Sequence, residues 1–231
     1  MRSIGLIGGM SWESSLLYYQ IINRQVGARL GGLHSAKIHL CSLDFEEIAS
    51  RQAAGAWDEL AAMLISAGRG LQQVGADCLL IGTNTMHCLA PQIQASVSIP
   101  VLHIADATAA AILRTGCQRV ALLGTKYTME KPFYVEHFRR HGIECVVPSE
   151  GERTQVHRII FEELCMGDFR SESRAVLQGI AARLCARGAE GVVLACTELP
   201  LLLSQEHVRV PLFNTTHLHA TCGVDFALGG S

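Results

Sequence analysis

Charge is scarce in this sequence. Only 17% of the 231 residues are Asp, Glu, Lys or Arg, against 49% hydrophobic, and the formal net charge is −2. Lysine and arginine are scattered, so no basic stripe addresses nucleic acid or an anionic membrane. No apolar stretch approaches the roughly 18 residues that span a bilayer. Nor does the N-terminus read as a secretion signal, because Arg2 is followed at once by a strand-like run and a glycine turn. The nine cysteines are odd in number and contain no Cys-x-x-Cys pair, which argues against both a disulfide framework and a thiolate metal site. His217 and His219, two apart, do not suit a helical metal pair, and no carboxylate cluster joins them. Gly8-Gly9 is not part of a Gly-x-Gly-x-x-Gly dinucleotide fingerprint. The expectation is a compact, cytoplasmic chain without bound metal, whose reduced thiols are mostly small core hydrophobes.

What is present is an alternation repeated once. Ser3–Ile7 reads as a strand, Gly8-Gly9-Met10 as a tight turn, and the segment through Leu16, Tyr19 and Ile22 as a helix. A strand over Ala36–Leu43, a helix from Trp57 to Leu71 and a strand ending at Gly82 follow. Ser98–His103 reads as a short strand, and Asp106 as the N-cap of an alanine-rich helix ending near Gly116. From Cys117 the plan recurs: strand Arg119–Leu123, turn Gly124-Thr125-Lys126-Tyr127-Thr128, helix through Phe133, Tyr134 and Phe138, and strand Ile143–Val147. Val156, Ile160 and Leu164 predict one helix closed by Gly167, and Val176, Ile180 and Leu184 another running to Gly188. A strand ending at Ala195, a strand Val210–Phe213 and a final helix Asn214–Leu228 complete the chain.

The copies align. Gly75 and Gly188 are 188 − 75 = 113 apart, Thr83 and Cys196 are 196 − 83 = 113 apart, and Gly8 and Gly124 are 124 − 8 = 116 apart. Strands alternating with helices predict an α/β fold with parallel sheets and right-handed crossovers, arranged as two pseudo-symmetric Rossmann-like lobes. Such sheets bind ligands beyond the carboxyl ends of their strands, so the active site is expected in the cleft between the lobes. Thr83 and Cys196, at equivalent strand ends, would face each other there.

Gly8-Gly9-Met10, Thr83-Asn84-Thr85-Met86-His87, Gly124-Thr125-x-x-Thr128 and Cys196-Thr197-Glu198, in this order over nearly the whole chain, resemble the motifs of the cofactor-independent aspartate/glutamate racemase superfamily. The resemblance implies a first lobe of residues 1–98 completed by 214–231, a second lobe of 99–213, no cofactor, a homodimer, and a small amino acid as substrate. It also implies two opposed acid-base groups. Inversion by deprotonation and reprotonation needs a group on each face of the carbon. A thiol, with a reference pKa of about 8.5 that a helix start can lower, suits that task; a helix is expected just after Cys196. Thr83 replaces the first of the family's two cysteines, which is similar to a Thr/Cys subgroup associated with L-aspartate and L-glutamate. Resemblance further assigns Asn84, Thr85, Thr125, Thr128 and Thr197 to the substrate α-carboxylate, Met10 and Gln52 to the side-chain pocket, and Glu198 to the thiol or the substrate ammonium. Some relatives hold a second carboxylate with an arginine and a lysine; here Arg51 is near the first place and Cys165 occupies the second. His87 reads as a structural hydrogen-bonder and Lys126 as a solvated charge. A non-catalytic amino-acid-binding protein, or an isomerase or decarboxylase of a small dicarboxylate, stays open beside the racemase.

Overall fold

The computed structural model describes residues 1–230. Strands β1 (Ile4–Gly8), β2 (Ile38–Ser42) and β3 (Cys78–Ile81) form one sheet in the order β2-β1-β3. Strands β4 (Arg119–Gly124), β5 (Glu144–Val146), β6 (Gly191–Ala195) and β7 (Leu212–Asn214) form a second in the order β5-β4-β6-β7. Every pairing is parallel. The helices are α1 (Trp12–Leu30), α2 (Phe45–Ala53), α3 (Trp57–Gln73), α4 (Ala90–Gln94), α5 (Ile104–Thr115), α6 (Lys126–Glu130), α7 (Phe133–Arg140), α8 (Glu150–Arg158), α9 (Ser171–Ala186), α10 (Leu199–Leu202) and α11 (Thr215–Leu228). The chain divides into two compact units, one made of Met1–Ile104 with the stretch that begins at His219, the other of Ala105–Leu218.

Parallel strands covered on both faces need apolar side chains on both. In β1, β3 and β6 every residue is buried, as their continuous Ile, Leu, Val and Ala runs require. The alternation of side chains sorts the first sheet into two cores. Ile7, Leu79 and Ile81 pack with Leu60, Leu64 and Leu71 of α3; Ile4, Leu6 and Leu80 pack with Tyr18, Ile22 and Val26 of α1 and with Ala220 and Val224 of α11. Burying each such aliphatic side chain is worth about 1.5–3 kcal/mol. Gly223 lets α11 approach closely, since a Cβ there would lie 2.8 Å from Leu80 Cδ1.

Four local expectations change. The buried face of α1 runs through Tyr18, Ile22 and Val26, which leaves Leu16 and Tyr19 exposed. The strand expected over Ser98–His103 contracts to a single bridge, Leu79 to Val101, because Pro100 has no N–H to continue a ladder. Its carbonyl accepts from Leu79 N–H at 2.9 Å, and Leu102 N–H donates to Leu79 O at 2.9 Å. These bonds tie the stretch to the first sheet, so the first unit runs on to Ile104, whereas the expected boundary is at 98. Asp106 is not an N-cap: α5 begins at Ile104, and the Asp106 carboxylate instead accepts from His137 Nδ1 at 3.0 Å and His141 Nε2 at 3.4 Å. Finally, the helix through Val156, Ile160 and Leu164 changes gauge. It passes from α-helix into a π-turn at Ile159–Glu163 and a 3-10 turn at Leu164–Met166, closing on Gly167 at φ 75°. All three apolar residues stay buried. The π-turn also brings the buried Glu163 carboxylate to the Ser173 hydroxyl.

α11 is fastened by polar as well as apolar contacts. Tyr18 Oη lies 2.8 Å from His219 Nδ1, and His219 Nε2 lies 2.7 Å from Leu102 O. A carbonyl only accepts, so the imidazole carries its hydrogen on Nε2 and takes the tyrosine hydrogen on Nδ1. Burial lowers the His219 pKa from 6.5 to about 3. Between those values the unfolded chain binds a proton that the folded chain does not. The stabilisation is therefore complete above about 6.5 and is lost as pH falls towards 3, at up to about 1.4 kcal/mol per pH unit. Urea unfolding of wild type and His219→Asn at pH 7 and pH 5 should give a weaker acid dependence in the variant, whatever its overall stability. An unchanged dependence would refute the assignment of this titration to His219.

Candidate active site

The polar residues singled out by the motifs stand immediately beyond buried strands. In the first unit, β1 ends in Gly8-Gly9. Gly9 has φ 83°, and a Cβ there would come 2.1 Å from Leu43 O, so no other residue fits. Its N–H donates to Ser15 Oγ at 2.7 Å. Beside it, Gly82 N–H donates to Ile7 O at 2.8 Å, one residue past β3. Thr83 follows, half-buried, and its carbonyl accepts from His87 Nδ1 at 2.8 Å. Asn84 and Thr85, both buried, lead into a 3-10 turn over Thr85–Leu89.

The two residues expected in the side-chain pocket are both buried. Met10 is 5% exposed and belongs to the apolar cluster of Ile48, Leu60 and Met86, while Gln52 is 8% exposed on α2. The neighbouring cation is committed elsewhere: Arg51 bonds Glu59 Oε2 through Nε at 3.1 Å and the Glu47 carbonyl through Nη1 at 2.9 Å.

In the second unit, β4 ends at Gly124 and Thr125 caps α6. Its Oγ1 accepts from Thr128 N–H at 3.3 Å and lies 3.2 Å from Thr128 Oγ1; both residues are buried. His157 supports the same turn by accepting the Lys126 N–H on Nδ1 at 3.3 Å. Burial, and then the Lys126 charge, lower the His157 pKa and keep that nitrogen an acceptor. His157 stands outside every motif, and it is found only through tertiary contacts, this one and the edge-on approach of its ring to Tyr127, with centroids 6.0 Å apart.

Beyond β6, Cys196 is 8% exposed. Its thiol donates to Glu198 Oε2 at 2.9 Å, and Thr197 Oγ1 donates to the same oxygen at 2.6 Å. The expected rise in thiolate at a helix start is overturned. The Cys196 pKa is pushed well above its ordinary value, first by burial, then by the Glu198 charge and its hydrogen bond; a Glu198 backbone hydrogen bond opposes the shift, and Cys165 adds to it. The physical reason is local. The helix that follows has only four residues, Leu199–Leu202, whereas a carboxylate lies directly against the sulfur. At neutral pH Cys196 is therefore a protonated thiol, hydrogen-bonded to the Glu198 carboxylate.

The model of the Asp/Glu/Hydantoin racemase family matches residues 7–223. The chain belongs to this family. It is thus an amino-acid racemase by class. Over 99% of its length it is similar, at 47% identity and a TM-score of 0.94, to the whole of a crystal structure from Yersinia pestis provisionally named an Asp/Glu racemase. An aspartate racemase homologue from Pyrococcus horikoshii OT3 matches 99% of this chain and 100% of its own at 34% identity and a TM-score of 0.85. The broad specificity amino-acid racemase RacX of Bacillus subtilis (strain 168) is 23% identical over 159 residues, covering 69% of this chain and 68% of that protein.

The family assignment makes the state of the thiol a direct question. Glu198→Gln removes the negative charge that raises the Cys196 pKa, so alkylation of Cys196 by iodoacetamide, followed by peptide mass mapping, should reach half-maximal rate at lower pH in the variant. A midpoint unchanged or shifted upward would show that Glu198 does not hold the thiol protonated.

Proposed function

We propose that the protein is a cofactor-independent racemase of L-aspartate or L-glutamate in which Cys196 and Thr83 exchange protons with opposite faces of the substrate α-carbon. The observation that carries this reading is the equivalence of the two strand ends. The register pairs Ile7 with Ile81 and Gly124 with Ala195. Continued by one pair in the first sheet, it sets Gly8 opposite Gly82, so Thr83 and Cys196 each occupy the first position beyond the partner of a terminal glycine. Two acid-base groups at equivalent positions of a repeated unit match the requirement of inversion, which one group on one face cannot meet.

The proposed sequence of proton movements balances. The thiol hydrogen passes to Glu198, the resulting thiolate takes the α-proton of the L-enantiomer, and Thr83 delivers a proton to the other face of the carbanion; exchange with solvent then removes the proton held by Glu198 and restores the one lost by Thr83, so every group ends as it began. The α-carboxylate, which carries the developing charge, is assigned to Asn84, Thr85, Thr125, Thr128 and Thr197, whose amide and hydroxyl groups suit an anion. Met10 and Gln52 border the side-chain pocket in this reading. A second reading rests on the protonated thiol: a decarboxylase of a small dicarboxylate needs one acid to protonate a carbanion and no base opposite it. Release of carbon dioxide from substituted malonates, with no exchange into any amino acid, would favour it.

Two measurements test the racemase. Cys196→Ala should lower turnover by at least about a hundredfold, the lower range of general acid–base effects, while the protein still unfolds cooperatively; activity within a few-fold of wild type would sink the assignment. The second concerns Thr83, a poor base. Enantiomers have equal free energy, so kcat/KM for inversion is the same in both directions, and the inequality of the two groups must appear in exchange. In deuterated water the L-enantiomer should take up deuterium faster than it inverts, and the D-enantiomer should exchange little without inverting. Thr83→Cys should raise inversion relative to exchange. Equal uptake without inversion from both enantiomers in wild type would overturn the asymmetry.

A further inference from the structure

Behind Thr83 the first unit holds four buried or half-buried ring side chains that proton transfer does not use: Tyr18, His87, His103 and His219. His87 is fully buried, with its ring centroid 4.8 Å from that of His103 and 5.2 Å from that of His219, both edge-on. His219 is itself held between Tyr18 and the Leu102 carbonyl. The His87 ring thus has little freedom to rotate. Its Nδ1 meets the Thr83 carbonyl at 2.8 Å, and because a carbonyl only accepts, this nitrogen carries the hydrogen.

We propose that His87 is a positioning residue for the reaction: wedged between His103 and His219, it grips the Thr83 carbonyl and so sets the attitude of the Thr83–Asn84 peptide from which the second acid-base group projects. The inference rests on Thr83 having that role. Its mechanism is peptide planarity. The C=O and the following N–H of a trans peptide point to opposite sides. Holding the Thr83 carbonyl against the buried imidazole therefore turns the Asn84 N–H away from it and fixes the backbone that carries the Thr83 hydroxyl. Thr83 sits between the buried Gly82 and Asn84, so rotation of this one peptide would re-aim the Asn84 amide and release the restraint on the backbone that carries the hydroxyl. Proton delivery falls steeply with misalignment of this kind, whereas binding, shared among several donors, is less sensitive.

The test separates positioning from a merely structural role. Asn places its amide nitrogen where the imidazole has Nδ1, so His87→Asn keeps the donor, whereas His87→Leu fills the space without one. For L-aspartate in deuterated water, His87→Leu should slow inversion at least tenfold while leaving KM within about threefold and deuterium uptake at the Cys196 face largely intact, so the ratio of uptake to inversion rises. His87→Asn should recover most of that ratio. A ratio within twofold of wild type in His87→Leu, or His87→Asn as impaired as His87→Leu, overturns the proposal. A readout that needs neither variant nor turnover is the long-range proton–nitrogen spectrum of the wild-type histidines. His87 is expected as the neutral Nδ1–H tautomer, and an Nε2–H tautomer would also overturn it. Thr83→Ala, run alongside, distinguishes the two levels: normal inversion there removes the reading on which His87 depends, whereas impaired Thr83→Ala with unaffected His87→Leu removes only the positioning role.

Discussion

The parallel ladders of β1 with β3 and of β4 with β6 are what the rest of the structure depends on. Each of β1, β3 and β6 is covered on both faces, and their side chains are consumed by packing. Chemistry can enter only where a ladder stops. At those ends a glycine lets the chain turn against a neighbouring backbone, as Gly9 does against Leu43, and the next polar side chain is presented from a rigid edge. The repetition of this arrangement at Thr83 and Cys196 follows from the repetition of the ladder, and the burial that makes the ladder stable is also what brings each group partly out of water.

That burial has a cost in reactivity. A thiol 8% exposed beside a carboxylate is harder to ionise than one in water, so Cys196 is inert until its hydrogen has somewhere to go. Glu198 both creates the difficulty, by its charge, and relieves it, by accepting the hydrogen at 2.9 Å. The Thr197 hydroxyl on the same carboxylate oxygen helps hold that geometry.

The groups around the strand ends are secured from some distance along the chain. His157, 31 residues after Lys126, accepts that residue's amide at the Thr125 turn. His219 meets Tyr18 across 201 residues of sequence and brings α11 onto the first sheet. Arg51, by contrast, is drawn to Glu47 and Glu59 on the surface of its own unit.

The amino-acid sequence by itself determined the main alternation of strands and helices, though not the helix α2 at Phe45–Ala53, together with the parallel α/β class, the internal repeat and the placing of Thr83 and Cys196 just past buried strands. These properties are carried by periodicity and by glycine turns, which act over a few residues and can be read wherever they occur. Within that frame only local details moved, such as Pro100 cutting short an expected strand and the π-turn inserted at Ile159–Glu163. The ionisation of Cys196, the burial of Met10 in an apolar cluster, the capture of Asp106 by His137 and the clasp of His87 on Thr83 were decided by tertiary structure. Each depends on which side chains are brought together and how much water is excluded around them, and neither quantity is periodic along a chain. A cysteine at a strand end is legible in one dimension; whether it holds its proton is set by a carboxylate oxygen 2.9 Å away in three.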